Sequence, residues 1–247
     1  MKFKDITNHT CQACDFIFDL IFPKECAGCG QESSWLCPDC FSKLKFSSEQ
    51  YCFHCKKLNK TGSFCSTCQN DYFLDGVIIA GNYDDKILSR LIKMLKYNFV
   101  KDIGNVLGNY LTDFLKSYFD NEPNHKSKII NLKSIIIPVP LHPRRLRWRG
   151  FNQTETIANV VAQNFQLEII TKKLIRTKHK KAQAKLDEWQ RLKNIKDCFA
   201  WHGDNLAGAT IILVDDVATT GATLNECAKI LKQNGANQVW GLVVAKG

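Results

Sequence analysis

Residues 211–223, which read IILVDDVATTGAT, constrain the fold of this chain more than any other stretch. Four consecutive apolar β-formers predict a buried strand, and two adjacent carboxylates, Asp215 and Asp216, follow at its carboxyl end. A short turn then opens a segment with helical apolar spacing, which closes at Gly235. The sequence therefore predicts a strand–loop–helix unit with an acidic pair where the strand ends.

Such a unit is suited to bind a sugar phosphate. The unpaired N–H groups and the positive dipole end of the helix favour an anion, and threonine hydroxyls add donors. The acidic pair would lie about one sugar away, placed to accept hydrogen bonds from vicinal hydroxyls or to hold Mg²⁺ through water. Asp-Asp and Thr-Gly are also ordinary strand-end and turn chemistry. The order of the four parts favours a ribose 5-phosphate site.

This arrangement resembles the type I phosphoribosyltransferases, whose signature is an apolar strand, two acidic residues and a Thr/Gly phosphate loop. The resemblance implies that Asp215 and Asp216 bind the 2′ and 3′ hydroxyls of phosphoribosyl pyrophosphate and are the catalytic residues. It also implies that the 5-phosphate is bound by the loop residues Ala218, Thr219, Thr220, Gly221, Ala222 and Thr223.

Apolar patterns upstream predict further strands and helices. Residues 77–80 with Tyr83 favour a strand or hairpin, residues 87–97 and 103–119 favour helices, and the polar residues 120–128 predict a loop. Residues 135–139 predict a second buried strand. Its end is a natural ligand position in an open α/β fold, and it is formed by Pro138, Val139 and Pro140.

Basic residues cluster after that strand. The formal net charge is +10, and residues 141–193 contain 13 Lys or Arg against 4 Asp or Glu. This asymmetry predicts a polyanionic partner: pyrophosphate, the phosphoribosyl donor or nucleic acid. Arg144 is assigned to the ribose-phosphate ligand. Contacts to nucleic acid or pyrophosphate are assigned to Arg145, Arg147, Arg149, Lys178, Lys180 and Lys181. In phosphoribosyltransferases a mobile loop that closes over the reacting centre corresponds to residues 171–193.

Ten of the twelve cysteines lie before residue 69, all in C-x-x-C pairs, which is metal spacing. Eight of them predict two tetrahedral Zn²⁺ sites, paired as neighbours in the simplest arrangement, with a crossed pairing as the alternative. Cys11 and Cys14 are interpreted first as free thiols. The neighbour pairing gives one site from Cys26, Cys29, Cys37 and Cys40, and the other from Cys52, Cys55, Cys65 and Cys68.

Three segments together resemble the ComF family of competence proteins: the cysteine pairs, PVPLHPRRLRWRGFNQ at residues 138–153, and the acidic-pair unit. The match covers about residues 22–247. It implies a type I phosphoribosyltransferase-like α/β fold, with a parallel sheet flanked by helices and preceded by a small zinc-ribbon-like module. The expected organisation is an N-terminal segment at 1–21, a double zinc-finger module at 22–72 and a phosphoribosyltransferase-like domain at 73–247.

The resemblance implies a protein that binds phosphoribosyl pyrophosphate or a ribose 5-phosphate moiety and acts in DNA uptake during natural transformation. Its expected partners are single-stranded DNA and a DNA-uptake helicase or channel. One alternative is an active transferase on an unknown nucleobase or amine, with Mg²⁺ on the pyrophosphate; another is a regulator that senses phosphoribosyl pyrophosphate. Without a signal peptide or an apolar run of ~20 residues, the sequence predicts a cytoplasmic protein with no membrane span.

Overall fold

The computed structural model of this protein describes residues 24–178 and 195–247. The chain forms two compact units, residues 1–44 and residues 45–247. In the described part of the first unit, a single helical turn, α1 (Pro38–Phe41), begins with proline at its first position. In neither described range is any helix both long enough and apolar enough to cross a bilayer.

The second unit contains every other described element. Its strands are β1 (Gln50–Tyr51), β2 (Leu58–Asn59), β3 (Gly76–Asn82), β4 (Ser134–Pro138), β5 (Glu168–Ile169), β6 (Leu174–Arg176), β7 (Phe199–Trp201), β8 (Thr210–Ala218) and β9 (Gln238–Lys246). Its α-helices are α2 (Lys86–Tyr97), α3 (Ile103–Asn121), α4 (Pro123–Ile129), α5 (Pro143–Arg149), α6 (Gln153–Phe165) and α7 (Ala222–Gln233).

Five strands form one parallel sheet in the order β3–β9–β8–β4–β5. The central strand β8 pairs with β4 on one side and β9 on the other, so that Val214 lies opposite both Pro138 and Leu242. Strand β8 has a paired strand on each side and is covered on both faces, which explains why Ile211, Leu213 and Val214 have no exposed surface. The predicted fold class, a parallel sheet flanked by helices, is confirmed.

Each face of the sheet has its own helical layer. Leu213 packs in one core cluster with Leu224 and Leu231, so α7 covers that face. Helices α3 and α6 pack against each other and against the sheet. Their close approach requires a glycine, because a Cβ at Gly108 would come within 2.5 Å of Val160 Cβ.

The predicted loop at residues 120–128 is wrong, since α4 occupies residues 123–129. Pro123 stands at its first turn, where a missing N–H costs nothing and the fixed φ suits a helix. The predicted end of strand β8 also differs from the structure. Its ladder with β9 continues to Ala218, so the strand contains Asp215 and Asp216 and also Ala218, which the sequence assigned to the loop.

The second group of cysteines lies in the compact unit that contains the sheet. Its hairpin, β1–β2, is attached to the edge strand β3 by buried hydrogen bonds. The Gln50 side chain donates to the Ile79 carbonyl at 2.9 Å and accepts from the Ile79 N–H at 3.0 Å. The N–H of Val77 donates to the Gly62 carbonyl. This ribbon is therefore part of the α/β core, and the domain boundary between residues 72 and 73 stays a prediction.

Candidate functional site

A crevice opens where the two central strands end. From β4 the chain continues through α6 to β5, towards one edge of the sheet, whereas from β8 it continues through α7 to β9, towards the other. Adjacent parallel strands whose connections diverge in this way mark the switch point of an open α/β sheet, where ligands bind. A cavity of about 310 Å³ lies there.

The cavity wall contains many of the residues that the sequence singled out, together with others that it did not assign as ligands. The predicted residues in the wall are Val139, Pro140, Arg145, Arg149, Asp215, Asp216 and Thr223. The unassigned ones include the polar residues Lys96, Gln153 and Arg176 and the aromatic residues Tyr97 and Trp148. Apart from the two carboxylates, every charged residue in the wall is basic.

Asp216 is held by a buried polar network. It is 3% exposed, lies 2.8 Å from Lys96 Nζ, and accepts a hydrogen bond of 2.9 Å from Gln153 Nε2. Gln153 Oε1 in turn accepts from Arg149. Burial lowers the pKa of Lys96, but the nearby charge of Asp216 outweighs it and raises that pKa above its usual value. The charge of Asp216 is therefore balanced inside the protein.

Asp215 has a different environment. Its side chain accepts a hydrogen bond of 2.8 Å from the N–H of Asp216 and remains half-buried. Removal from water, with the neighbouring charge of Asp216 in addition, raises the pKa of Asp215 to about 7. The charge of Asp215 therefore changes near neutral pH.

The acidic pair does not fit a resident Mg²⁺. A magnesium ion needs ionised oxygen ligands in octahedral geometry. Asp216 is already paired with Lys96, and the raised pKa of Asp215 disfavours the ionised form that magnesium would bind. We derive no chemical step through magnesium held by these residues.

The loop between β8 and α7 presents backbone donors. Gly221 has φ of +72°, a left-handed conformation suited to glycine, and α7 begins at the next residue. Thr220 Oγ1 accepts from the Ala222 N–H at 3.4 Å, while Thr219 is exposed. The first N–H groups of a helix lack partners within it, so this end of α7 can bind an anion.

The second cysteine ribbon contacts this loop directly. A Cβ at Gly221 would lie 2.9 Å from Phe53 Cε1, so the ring of Phe53 packs directly against the glycine. Phe53 is 3% exposed, and Lys246 Nζ lies 5.7 Å from the centre of its ring. The loop therefore packs against an aromatic side chain, Phe53, that lies between Cys52 and Cys55 in the sequence.

The arginine-rich stretch forms the short helix α5. Two of its four arginines line the cavity, and the other two are exposed to solvent. His142 Nδ1 accepts from the Arg144 N–H at the start of α5, and Gly150 ends the helix in a left-handed conformation. Arg149 is buried in the cavity wall and Arg145 is half-buried there, whereas Arg144 and Arg147 are exposed and lie outside it. The structure thus divides a uniform basic motif into an inner and an outer pair.

Two guanidinium groups have donors that the protein does not use. Among the described residues, Arg149 Nε and Arg176 Nε are buried and have no hydrogen-bond partner. Burial lowers the pKa of both groups, yet guanidinium remains protonated. Buried charged donors without acceptors are costly, so an anion in the cavity would satisfy both arginines.

The remaining predicted positions lie elsewhere. Pro138 is the buried last residue of β4, and Ala218 and Ala222 frame the loop. Lys178 is exposed and does not line the cavity. Lys180 and Lys181, like Cys11 and Cys14, lie outside the described residues.

Lys96 is the functional residue that sequence reasoning missed. A lysine in the last turn of an amphipathic helix normally stabilises the helix end and is solvated, so no motif distinguishes it. Gln153 and Arg176 stand within or beside motifs that were recognised, and the position of Gln153 at the start of α6 could have indicated a role.

Two cysteine tetrads have the geometry of zinc sites. Within each, all four sulfurs lie within 4.8 Å of one another, and the pairing is by neighbours and not crossed. The Cys26–Cys37 and Cys55–Cys65 sulfur distances are both 3.6 Å. Tetrahedral Zn²⁺ with Zn–S bonds of about 2.3 Å needs sulfurs about 3.8 Å apart, so both tetrads fit it. A hydrogen bond from the Cys68 N–H lowers the pKa of Cys65 to about 6, which favours the thiolate.

Comparison with family models supports both parts of this arrangement. Residues 17–69 match the double zinc ribbon domain, and residues 154–246 match the phosphoribosyl transferase domain. The first match spans both cysteine tetrads, so the chain has two zinc sites. The second match includes α6, the acidic pair and the loop.

Full-length relatives decide the family. The chain is 32% identical to competence protein F of Haemophilus influenzae over 216 residues, which cover 85% of this chain and 90% of that protein. It belongs to the ComF family. Competence protein ComFC of Streptococcus pneumoniae is 25% identical over 84% of this chain and 86% of its own length.

Other relatives in the comparison are named for DNA use. DNA utilization protein YhgH of Escherichia coli K12 is 31% identical over 156 residues, which cover 62% of this chain and 65% of that protein. The recognition of a ComF protein from the cysteine pairs, the arginine-rich stretch and the acidic-pair unit is confirmed.

Proposed function

We propose that this ComF protein binds a phosphoribose group, as phosphoribosyl pyrophosphate or ribose 5-phosphate, and acts in DNA uptake during natural transformation. The observation that carries the first half is the acidic pair and the loop on one strand–loop–helix unit at the switch point of the sheet. The 5-phosphate would bind the loop from Thr219 to Thr223, and Asp215 would accept hydrogen bonds from the ribose hydroxyls.

The basic wall supports a ligand with more than one phosphate. Arg149 and Arg176 have buried donors without partners among the residues that the structure describes, and Arg145 lines the same cavity. Guanidinium groups bind phosphate oxygens in a fixed, often bidentate geometry. These three arginines would hold the pyrophosphate of phosphoribosyl pyrophosphate, while the ion pair with Lys96 holds Asp216 in place.

The second half of the proposal follows from the relatives. Two of them are named as competence proteins and one as a DNA utilization protein. We extend that role to this chain, as a protein that handles single-stranded DNA in the cytoplasm beside a DNA-uptake helicase or channel. The charge of +10 agrees with a polyanionic partner.

Calorimetric titration with phosphoribosyl pyrophosphate tests the pocket. The chain with Asp215→Asn and Asp216→Asn together should bind at least about tenfold more weakly, because the sugar hydroxyls lose the Asp215 carboxylate as acceptor and the site loses the ion pair of Asp216 with Lys96. Asp204→Asn, at a position outside the cavity wall, is the matched control. Equal affinity of the double variant and the unmodified chain would refute the assignment.

A second candidate function is transfer of the phosphoribosyl group to an acceptor. The convergence of Arg145, Arg149 and Arg176 on one cavity favours it, because pyrophosphate is a leaving group whose charge arginines stabilise. A screen for pyrophosphate release from phosphoribosyl pyrophosphate, with bases, amines and single-stranded DNA as acceptors, separates the two. Release of pyrophosphate with any acceptor establishes a transferase. Binding of phosphoribosyl pyrophosphate without release favours a binding protein or a sensor.

A further inference from the structure

Large aromatic side chains are exposed at the mouth of the cavity. Trp148 is 63% exposed and Tyr97 is 62% exposed, and both line the cavity that contains the acidic pair. Phe99 contacts Trp148 edge-on, with ring centres 4.8 Å apart at 84°. Exposed apolar side chains are common when they stand singly, but a cluster of them beside a cavity marks a candidate binding surface. We call Tyr97, Phe99 and Trp148 the aromatic platform.

The backbone of the platform is strained. Phe99 has φ of +60°, a left-handed conformation that is unfavourable for a bulky residue. Such strain persists when the surrounding structure requires it, and it is concentrated at functional sites. Here it accompanies a ring that packs edge-to-face with Trp148.

Positive charge surrounds the platform on the same element. Trp148 belongs to helix α5, whose exposed arginines are Arg144 and Arg147, and Arg145 reaches the cavity that Trp148 lines. Exposed rings combined with guanidinium groups are the composition of surfaces that bind single-stranded nucleic acid. On such surfaces the cations follow the phosphates and the rings stack on bases.

We propose that the aromatic platform stacks on the bases of single-stranded DNA next to the phosphoribose cavity, with Trp148 as the principal ring. The inference rests on the proposed function, since it assigns the strand to the surface around that site. One nucleotide's sugar phosphate would enter the cavity, and its neighbouring bases would lie on Trp148 and Tyr97 while the outer arginines contact the backbone.

A free nucleobase fits these residues less well than a strand. A pocket for a free base encloses its ligand and reads its edge with a few polar groups, whereas Trp148 and Tyr97 are open to solvent. The outer pair, Arg144 and Arg147, lies outside the cavity, where a lone base has no phosphate to offer. Charge complementarity therefore favours a ligand with several phosphates beyond the cavity.

Fluorescence anisotropy with two labelled strands of about 16 nucleotides tests the platform. One is oligothymidylate, and the other has the same sugars and phosphates but no bases. Trp148→Ala should weaken oligothymidylate binding about tenfold and leave the abasic strand unchanged, because only stacking is lost. Trp148→Phe should restore most of the affinity. Phe73→Ala, another exposed aromatic residue that lines a different cavity, should change neither.

The charge contribution has its own measurement. Arg147→Gln should weaken both strands and reduce the slope of log affinity against log salt by about 0.7, the contribution of one phosphate contact on a single strand. Trp148→Ala should leave that slope unchanged. Circular dichroism of each variant verifies the fold.

Several results would overturn the platform. One is an equal loss of affinity for oligothymidylate and for the abasic strand in Trp148→Ala, and another is no loss of affinity for either strand. A third is binding of a free base that oligothymidylate does not displace. Titration of ribose 5-phosphate into the unmodified chain separates this inference from the proposed function. Ribose 5-phosphate binding without any strand binding overturns the platform alone. Trp148-dependent strand binding without ribose 5-phosphate binding supports the platform and contradicts the pocket.

Discussion

The two cysteine tetrads have closely similar sequence patterns but different structural settings. The first, Cys26 to Cys40, belongs to the compact unit of residues 1–44. The second, Cys52 to Cys68, belongs to the unit that contains the sheet, and Phe53 between its first two cysteines packs on Gly221 of the phosphate-type loop. The same metal-binding pattern therefore stabilises a separate unit in one case and supports a candidate ligand site in the other.

The packing of the second ribbon shows how this support is built. Cys52, Phe53, Phe64 and Cys68 belong to the same core cluster as Leu224 and Cys227 of helix α7. Zinc holds a small loop in a fixed conformation that the chain could not otherwise maintain. Because the loop at Gly221 begins α7, an ordered second ribbon should also order the anion-binding end of that helix.

The largest expected effect on ligand affinity comes from the loss of one zinc ligand. Removing a ligand from each tetrad in separate variants tests whether the two tetrads differ in this way. Cys65→Ser should remove one zinc per chain and weaken ribose 5-phosphate binding at least about tenfold, because the support under Gly221 is lost. Cys37→Ser should remove one zinc with a change below about twofold. Metal analysis and calorimetry measure both. Equal losses of affinity from the two variants would show that the tetrads do not differ in this way.

Lys96→Met removes the partner of Asp216 in the candidate site and leaves both cysteine tetrads intact, so it separates the contribution of the site from that of the tetrads. Without the ammonium group, Asp216 becomes a buried carboxylate without its ion pair, which costs about 3–5 kcal/mol of the free energy of unfolding. Lys93→Met, at an exposed position of the same helix, should change it by about 0.5 kcal/mol or less. Urea unfolding measures both, and equal values would contradict the buried network.

Phe53→Ala tests the ring contact without removing zinc. The deletion of a buried phenylalanine should lower the free energy of unfolding by about 3 kcal/mol, and the cavity beneath Gly221 should weaken ribose 5-phosphate binding. Phe73→Ala, 45% exposed, is the control and should cost about 0.5 kcal/mol or less. Unchanged ligand affinity in Phe53→Ala would mean that the ribbon stabilises the unit without positioning the loop.

A further prediction is a pH dependence of the free energy of unfolding of the second unit. The pKa of Asp215 is raised from 3.8 to about 7, so the folded chain binds this proton more tightly than the unfolded chain. The resulting stabilisation is complete below about pH 4 and is lost as the pH rises towards 7. Asp215→Asn should remove this part of the dependence in urea unfolding between about pH 4 and pH 7. An identical profile for the variant would contradict the raised pKa.

The strand–loop–helix unit could be predicted because its parts follow each other directly in the sequence. Four buried β-formers, two acids and a Thr-Gly turn leave one local arrangement. The exact end of β8 could not, because it depends on the ladder with β9, a partner more than twenty residues away in the chain. The loop predicted at residues 120–128 failed because Pro123 serves as well at a helix start as in a turn.

The network around Asp216 depends on tertiary structure. Lys96, Gln153 and Asp216 come from three elements, and nothing in their local sequence links them. The unequal setting of the two tetrads was equally hidden, since C-x-x-C spacing predicts a metal and not its neighbours. Phe53 in particular has no feature in the sequence that distinguishes it from other residues between paired cysteines. Its contact with Gly221 is visible only in the folded structure.

The most direct test of the central claim is a crystal structure of the full chain with ribose 5-phosphate. The phosphate should accept hydrogen bonds from the N–H groups of the loop from Thr219 to Thr223, and the ribose hydroxyls should donate to Asp215. Phe53 should remain packed on Gly221 with zinc bound in the second tetrad. A phosphate bound to the outer arginines Arg144 and Arg147, with the loop empty, would contradict the account.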